Sequence, residues 1–252
     1  LTVPVDQDGI LVDDLRAICT RRKIRMLYLT PHHHYPTTVT LSAQRRLQLL
    51  QLAEEFEFII LEDDYDYDFH YDRSPILPLA SADTNGMVIY IGSFGKSLAP
   101  GFRTGFVVAP ENLMDEMRKY LGIIDRQGDI LMEHVLGEMI AEGEISRYLK
   151  KSLKVYRERR DDFCLLLDAH LGNRIRFQKP SGGLAVWMEW NMEINLMKLC
   201  RECSDNDLFI PRTLLYQNRD LAAMRLGFGN LNRDEMENSV GIFAKTVKTI
   251  FE

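Results

Sequence analysis

The sequence lacks several features that would assign it to a specialised class of protein. It has four cysteines in 252 residues, and Cys200 and Cys203 lie in a helix-like stretch without a second pair, so we expect reduced thiols rather than disulfides. It has no apolar run long enough to span a bilayer and no signal peptide, so we expect a cytoplasmic location. A net charge of −6 argues against this chain binding DNA by itself. Its 252 residues predict one large or two small domains, and 46% hydrophobic residues are ordinary for a globular protein.

The stretch from Met87 to Phe106, MVIYIGSFGKSLAPGFRTGF, contains a lysine in a loop between two apolar segments. The pattern predicts a strand before the loop and a second strand opened by Arg103. A buried Lys96 would favour its neutral amine, which is a nucleophile for aldehydes. Arg103 and the hydroxyls of Ser93 and Ser97 suit a phosphate. The stretch therefore indicates a phosphorylated aldehyde bound to the lysine, and the alternative is a surface Lys and Arg in an ordinary turn.

The stretch from Phe56 to Tyr71, FEFIILEDDYDYDFHY, runs from a short buried strand into a cluster of acids. The pattern predicts a strand that ends at Leu61 and leaves residues 62–64 at its carboxyl edge, where α/β folds bind ligands. A carboxylate there could keep a pyridine nitrogen protonated, and a tyrosine two residues further on could hydrogen-bond the phenolic oxygen of the same ring. The alternatives are a solvated acidic loop or a metal site, although the spacing does not fit a calcium loop.

The motifs EDDYDYDFHYD and SFGKSLAPGFRTGF together resemble the fold-type I pyridoxal-phosphate proteins, the aminotransferase class I/II group. Within that group, the tail of the acidic motif and the segment PHHHYPT most resemble the aminotransferase-like domain of MocR/GabR-type regulators of the GntR family. The resemblance extends from Asp6 to the C-terminal helix. It implies pyridoxal 5'-phosphate as cofactor, an amino-acid or amine effector, a homodimer, and DNA binding only through a winged-helix domain that this chain does not contain.

The resemblance also implies roles for individual residues. Lys96 matches the lysine that forms the Schiff base with the cofactor, and it is the candidate catalytic residue. Asp63 matches the partner of the pyridinium nitrogen, and Tyr65 matches the donor to the ring oxygen. Ser93 and Arg103 resemble the ligands of the cofactor phosphate.

Further positions bear on the effector and on the regulator branch. Arg225, in the run MRLGF, resembles the arginine that binds an amino-acid carboxylate, a task that suits its planar guanidinium. Tyr35 stands where transaminases have an asparagine, which favours the regulators, and Thr38 replaces a usual glycine. Residues 32–34 are histidines, but adjacent side chains diverge in an extended segment and no further ligand lies at metal spacing, so we assign no metal.

The order of predicted elements indicates an α/β fold with a mainly parallel sheet, followed by a small α+β domain. We expect the remainder of a PLP-binding large domain over 1–125, linking helices over 126–170 and a C-terminal domain over 171–252. In that last domain the pattern predicts a strand over Leu208–Pro211. Because Leu1 is not a methionine and matches the middle of the PLP domain, we expect a fragment; the alternative is a short natural protein that lost the preceding half.

These observations leave three functional hypotheses. The first is an effector-sensing domain of a MocR-type regulator, which forms aldimines between PLP and an amino compound. The second is a catalytically active class I/II aminotransferase, in which Lys96 also moves a proton between substrate and cofactor. The third is a PLP-free dimerisation scaffold. An upstream winged helix would favour the first hypothesis, and multiple-turnover transamination would favour the second.

Overall fold

The computed structural model of the protein describes residues 1–72, 76–125 and 128–251. The chain forms two compact units, one made of Leu1–Tyr35 and Val39–Lys151 and the other of Pro36–Thr38 and Ser152–Glu252. Its elements in chain order are β1 (Val5–Asp6), β2 (Gly9–Ile10), α1 (Val12–Arg21), β3 (Met26–Leu29), α2 (Ala43–Phe56), β4 (Ile59–Asp64), β5 (Val88–Ser93), β6 (Gly105–Val108), α3 (Glu111–Ile124), α4 (Ile130–Ala141), α5 (Glu144–Leu171), β7 (Ile175–Phe177), β8 (Ala185–Trp190), α6 (Leu196–Ser204), β9 (Leu215–Gln217), β10 (Ala222–Gly227) and α7 (Arg233–Phe251).

A four-stranded sheet in the order β3-β4-β5-β6 organises the first unit. Strands β3, β4 and β5 are parallel, and β6 runs antiparallel to β5. The parallel pairs require long crossovers, such as α2 between β3 and β4, whereas the short loop after β5 returns the chain as an antiparallel neighbour. The predicted mainly parallel α/β sheet is confirmed.

Helix α2 anchors this sheet through its apolar face. Leu49 and Leu52 are fully buried and belong to the same core cluster as Phe58 and Ile60 of the β4 region. The helix begins where the backbone amide of Arg45 donates to the hydroxyl oxygen of Ser42 at 3.4 Å, which satisfies one of the orphan amides of the first turn.

The second unit contains an antiparallel sheet in the order β7-β8-β10-β9, with α6 and α7. The α7 helix starts with a capping box, because the amide of Asn232 donates to Glu235 and the amide of Glu235 donates to the Asn232 side chain. The strand predicted over Leu208–Pro211 is wrong. Pro211 has no amide hydrogen to donate to a sheet and instead precedes a 3₁₀ turn, and the strand forms later, at β9.

Cys19, Cys164, Cys200 and Cys203 are free of disulfides in the structure, and all four are buried. Among residues 1–72, 76–125 and 128–251, no helix combines the length and the apolar character that crossing a membrane requires. Helix α3 has no buried residue among those described, and apolar side chains such as Ile123 and Ile124 are exposed on it.

Candidate functional site

The acids after Phe58 lie within a strand and not beyond its edge, which corrects the predicted end at Leu61. Strand β4 continues to Asp64, so successive side chains alternate between the two faces of the sheet. Glu62 and Asp64 are buried on one face, whereas Asp63 is half-buried on the other. Three adjacent carboxylates therefore have two different environments.

The two buried acids are held by partners inside the fold. Glu62 accepts hydrogen bonds from the amides of Leu79 at 2.8 Å and Ala80 at 3.0 Å. Asp64 accepts one from the hydroxyl of Tyr90 at 3.1 Å, and its Oδ2 lies 2.7 Å from Nδ1 of His32. Burial, together with the Asp64 carboxylate, raises the pKa of the Tyr90 hydroxyl. These two carboxylates stabilise the fold from within.

Asp63 faces away from that network. Its Oδ2 accepts a 2.6 Å hydrogen bond from the hydroxyl of Tyr28, a residue of the neighbouring strand β3. Partial burial, with this hydrogen bond and the carboxylate charge, raises the pKa of Tyr28 to about 12. Asp63 pairs with Ile91 in the parallel register, so Ser93 at the end of β5 lies on the same face of the sheet. The structure thus brings Asp63 and Ser93 to one face at adjacent strand ends.

Tyr65 follows β4 and is tied to the turn that contains the histidines. Its hydroxyl donates to the main-chain oxygen of His33 at 3.0 Å. Nδ1 of His33 lies 2.8 Å from Oδ1 of Asp66, and both side chains are buried. These contacts join the PHHHYPT segment to the acidic motif, which sequence spacing alone could not show.

Ligand atoms of His32, Glu62 and Asp64 lie within 4.8 Å of one another, which is close enough for a metal site. Glu62 is already satisfied by two backbone amides, and Nε2 of His32 lies 2.5 Å from the main-chain oxygen of Ile76. The cluster is therefore explained as a buried polar network, and we assign no metal to it.

Lys96 lies in a turn directly after β5. The amide of Leu98 donates to the main-chain oxygen of Phe94 at 3.0 Å, and the amide of Gly95 donates to the hydroxyl oxygen of Ser93 at 3.2 Å. The Lys96 side chain is exposed, so the burial expected between two strands is not provided by the described residues. The reason is local: the turn extends past the strand end, and its lysine points out of the core.

Two further residues of this loop differ from expectation. Ser97, expected to suit a phosphate, is buried, and its hydroxyl donates to Oδ2 of Asp68. Arg103 does not open a strand, because β6 starts at Gly105; Arg103 is exposed and has a left-handed backbone with φ of 49°. Non-glycine residues are uncommon at such angles and often mark functional sites.

Arg225 belongs to the second unit. It lies in β10 directly opposite Trp187 of β8 and is half-buried. The Trp187 ring contacts the Tyr216 ring edge-on, with centroids 4.9 Å apart, and the indole nitrogen of Trp187 donates to Glu189 at 3.0 Å. The arginine thus shares a sheet face with a fixed aromatic pair.

Sequence reasoning missed two contacts in this region. No motif in the sequence indicates Tyr28, although a parallel pairing of β3 with β4 places it opposite Leu61, two residues before Asp63 on the same face. The contact between Ser97 and Asp68 had no sequence signal, because it joins two turns distant along the chain.

Comparison with known proteins places this arrangement in the pyridoxal-phosphate-dependent aminotransferase fold. The structure matches that of the Pyrococcus horikoshii kynurenine aminotransferase with a TM-score of 0.91 and 27% identity, covering 100% of this chain and 64% of that one. The family model for aminotransferase class I and II matches residues 3–240. The chain therefore belongs to the aminotransferase class I and II family, and pyridoxal phosphate is the cofactor that this membership indicates.

Curated relatives include both enzymes and regulators. An aromatic-amino-acid aminotransferase of Thermococcus litoralis is 27% identical over 254 residues, which are 98% of this chain and 61% of the relative. The probable rhizopine catabolism regulatory protein MocR of Rhizobium meliloti is 30% identical over 184 residues, which are 73% of this chain and 36% of the relative. The chain thus spans less than two thirds of the length of these relatives.

Proposed function

We propose that this chain is the effector-sensing domain of a MocR-type transcription regulator, in which an amino compound reacts with pyridoxal phosphate held at Lys96. The cofactor role is supported by the different environments of three adjacent acids, which lie on opposite faces of the sheet. Glu62 and Asp64 are enclosed by protein partners, whereas Asp63 lies half-buried on the sheet face that also carries Ser93. A carboxylate on such a face, beside a hydroxyl and near a lysine-bearing turn, fits a phosphorylated pyridine ring.

When bound, pyridoxal phosphate supplies an aldehyde that condenses with amines and a ring that withdraws electrons. Asp63 would hold the proton of the ring nitrogen by charge pairing. Ser93 already accepts a hydrogen bond from the amide of Gly95, so its hydroxyl hydrogen can be donated to a phosphate oxygen. Arg103, exposed at the end of the same loop, would add positive charge for the phosphate.

The proposed roles of Tyr65 and Lys96 concern the protein with its cofactor bound. The hydroxyl of Tyr65 donates to the His33 main chain in this structure, so donation to a ring oxygen requires it to rotate away from that carbonyl. Lys96 is exposed, so its amine is accessible to an aldehyde.

The regulatory role is supported by the link between the two segments that carry the regulator pattern. The contacts of His33 with Asp66 and of Tyr65 with the His33 main chain couple the histidine turn to the acidic motif. A change at the cofactor ring would therefore reach the histidine turn through Tyr65. Arg225 would hold the carboxylate of an amino-acid effector, because its planar fork meets a carboxylate with two hydrogen bonds.

An active aminotransferase is the second candidate, favoured by the likeness to the Pyrococcus enzyme over the whole chain. The two candidates differ in turnover. With the full-length protein, we expect amino acids to shift the cofactor absorbance and to change binding to DNA from upstream of its own gene, without repeated conversion of amino acid and 2-oxo acid. Sustained turnover with unchanged DNA binding would refute the regulatory role, and a protein that never acquires the yellow cofactor absorbance would refute both.

We also propose that the full-length protein is a homodimer. The large apolar side chains Ile123, Ile124 and Leu131 of the α3–α4 region are between 75% and 81% exposed, which is unusual for a surface that remains in water. Light scattering should give twice the mass of one chain. A monomer that persists at micromolar concentration would contradict this proposal.

A further inference from the structure

Ser97 directly follows Lys96 in the chain, but its side chain is buried, whereas that of Lys96 is exposed. Ser97 is 3% exposed, and its hydroxyl donates a hydrogen bond to Oδ2 of Asp68. Asp68 lies in the turn after β4, the strand that carries Asp63. The hydrogen bond therefore connects the lysine-bearing turn to the segment that contains the proposed ring-nitrogen partner.

The main chain on the other side of Lys96 is also held. The amide of Gly95 donates to the Ser93 hydroxyl oxygen at 3.2 Å, and the amide of Phe94 donates to the main-chain oxygen of Thr104 at 3.0 Å. The backbone of Lys96 is thus fixed from both directions, while its side chain extends into solvent. A lysine side chain has several rotatable bonds, so the position of its amine depends on where its backbone is anchored.

We propose that Ser97 and Asp68 are positioning residues whose hydrogen bond fixes the Lys96 turn relative to the end of β4. This inference rests on the proposed role of Lys96 as the cofactor anchor. A hydrogen bond to a carboxylate is stronger than a neutral one, and partial burial strengthens it further. Small displacements of a reacting group have large effects on rate, so a tether beside the nucleophile has a direct chemical consequence.

The test compares Ser97→Ala, Ser97→Thr and Asp68→Ala in the full-length protein. Ser81→Ala is the matched control, because the Ser81 hydroxyl donates to the main-chain oxygen of Pro78 at 2.6 Å, outside this loop. In the cofactor-free protein, amide hydrogen exchange over residues 94–98 should accelerate about tenfold or more in Ser97→Ala and Asp68→Ala. It should remain close to the parent rate in Ser97→Thr, which keeps the hydroxyl, and in the control.

The second readout is the rate at which added pyridoxal phosphate forms a borohydride-stable adduct on Lys96. It should fall about tenfold in Ser97→Ala and recover in Ser97→Thr. Parent-like exchange and adduct formation in Ser97→Ala would overturn the inference. So would effects that follow the melting temperature across all variants, including Ser81→Ala, because that pattern indicates general destabilisation.

Two further outcomes keep the inference separate from the proposed function. If Ser97→Ala does not fold, Asp68→Asn replaces it, because the amide oxygen of asparagine still accepts the hydrogen bond. An effect on exchange and adduct formation smaller than that of Asp68→Ala supports the tether, and an equal effect contradicts it. If the parent protein forms no adduct on Lys96, the proposed function fails. The exchange comparison then decides the tether by itself.

Discussion

Replacing Asp63 by asparagine should separate the effect on cofactor binding from the effect on fold stability. The substitution removes the negative charge that would face the pyridinium nitrogen but keeps a carbonyl oxygen of the same shape. That oxygen can still accept the hydrogen bond from Tyr28. We therefore expect cofactor retention to fall strongly while the protein remains folded.

The structure gives the size of the expected stability change. A hydrogen bond to a charged carboxylate, such as the one from Tyr28 to Asp63, contributes about 1.5 to 3 kcal/mol, and here less because Tyr28 is 58% exposed to water. Since asparagine keeps the acceptor, Asp63→Asn should lower the free energy of unfolding by less than about 1 kcal/mol. Asp64→Asn should cost about 1 to 3 kcal/mol, because Asp64 is 3% exposed and faces both Tyr90 and His32.

The assay combines urea denaturation of the cofactor-free protein with the absorbance of bound cofactor after gel filtration. Asp63→Asn should lose the cofactor and keep its unfolding midpoint, whereas Asp64→Asn should lower the midpoint first. If Asp64→Asn lost the cofactor at parental stability and Asp63→Asn retained it, the assignment of the ring-nitrogen partner would be wrong by one residue, and the argument from strand alternation would fail with it.

Two other changes test the account at different places. In a spectral titration, Arg225→Lys should weaken the binding of carboxylate-bearing effectors by about 1 to 3 kcal/mol and leave the binding of amines without a carboxylate unchanged. The control is Arg176→Lys, on an exposed arginine paired with Glu189, which should change the binding of neither class of ligand. An equal response of Arg225→Lys and the parent would show that Arg225 is structural. Burial, with the nearby His33 and His32, lowers the pKa of His70 from 6.5 to about 4, so the unfolded chain binds a proton that the folded chain does not. The free energy of unfolding should therefore fall as the pH decreases from about 6.5 toward 4, and His70→Gln should reduce that slope; identical slopes in urea denaturation at several pH values would contradict this.

Much of the fold could be predicted because local signals agree with the tertiary structure. The α2 helix has a serine cap and an inward leucine face, and α7 has its capping box, so local residues mark where both helices begin. The parallel sheet followed from the alternation of strands and helices. The strand predicted over Leu208–Pro211 failed because Ile210 is buried without joining the sheet, and hydrophobicity alone does not distinguish the two cases.

The candidate site was harder to predict, because its geometry depends on contacts between distant segments. The sequence located Lys96, Asp63 and Arg103 within their motifs, but the strand end and the alternation that separates Asp63 from Asp64 depend on pairing with β5. The engagement of Ser97 by Asp68 follows from how two turns meet. The hydrophobic periodicity of the sequence does not predict such a contact between two turns.

The most direct test of the central claim is peptide mapping of the full-length protein after incubation with pyridoxal phosphate and reduction with borohydride. We predict one stoichiometric phosphopyridoxyl adduct, on Lys96, which disappears in Lys96→Ala and persists in Lys119→Ala. Lys119 is a suitable control because it is an exposed lysine of α3, paired with Glu116 at 2.5 Å. An adduct on Lys119, or one that survives in Lys96→Ala, would contradict the account.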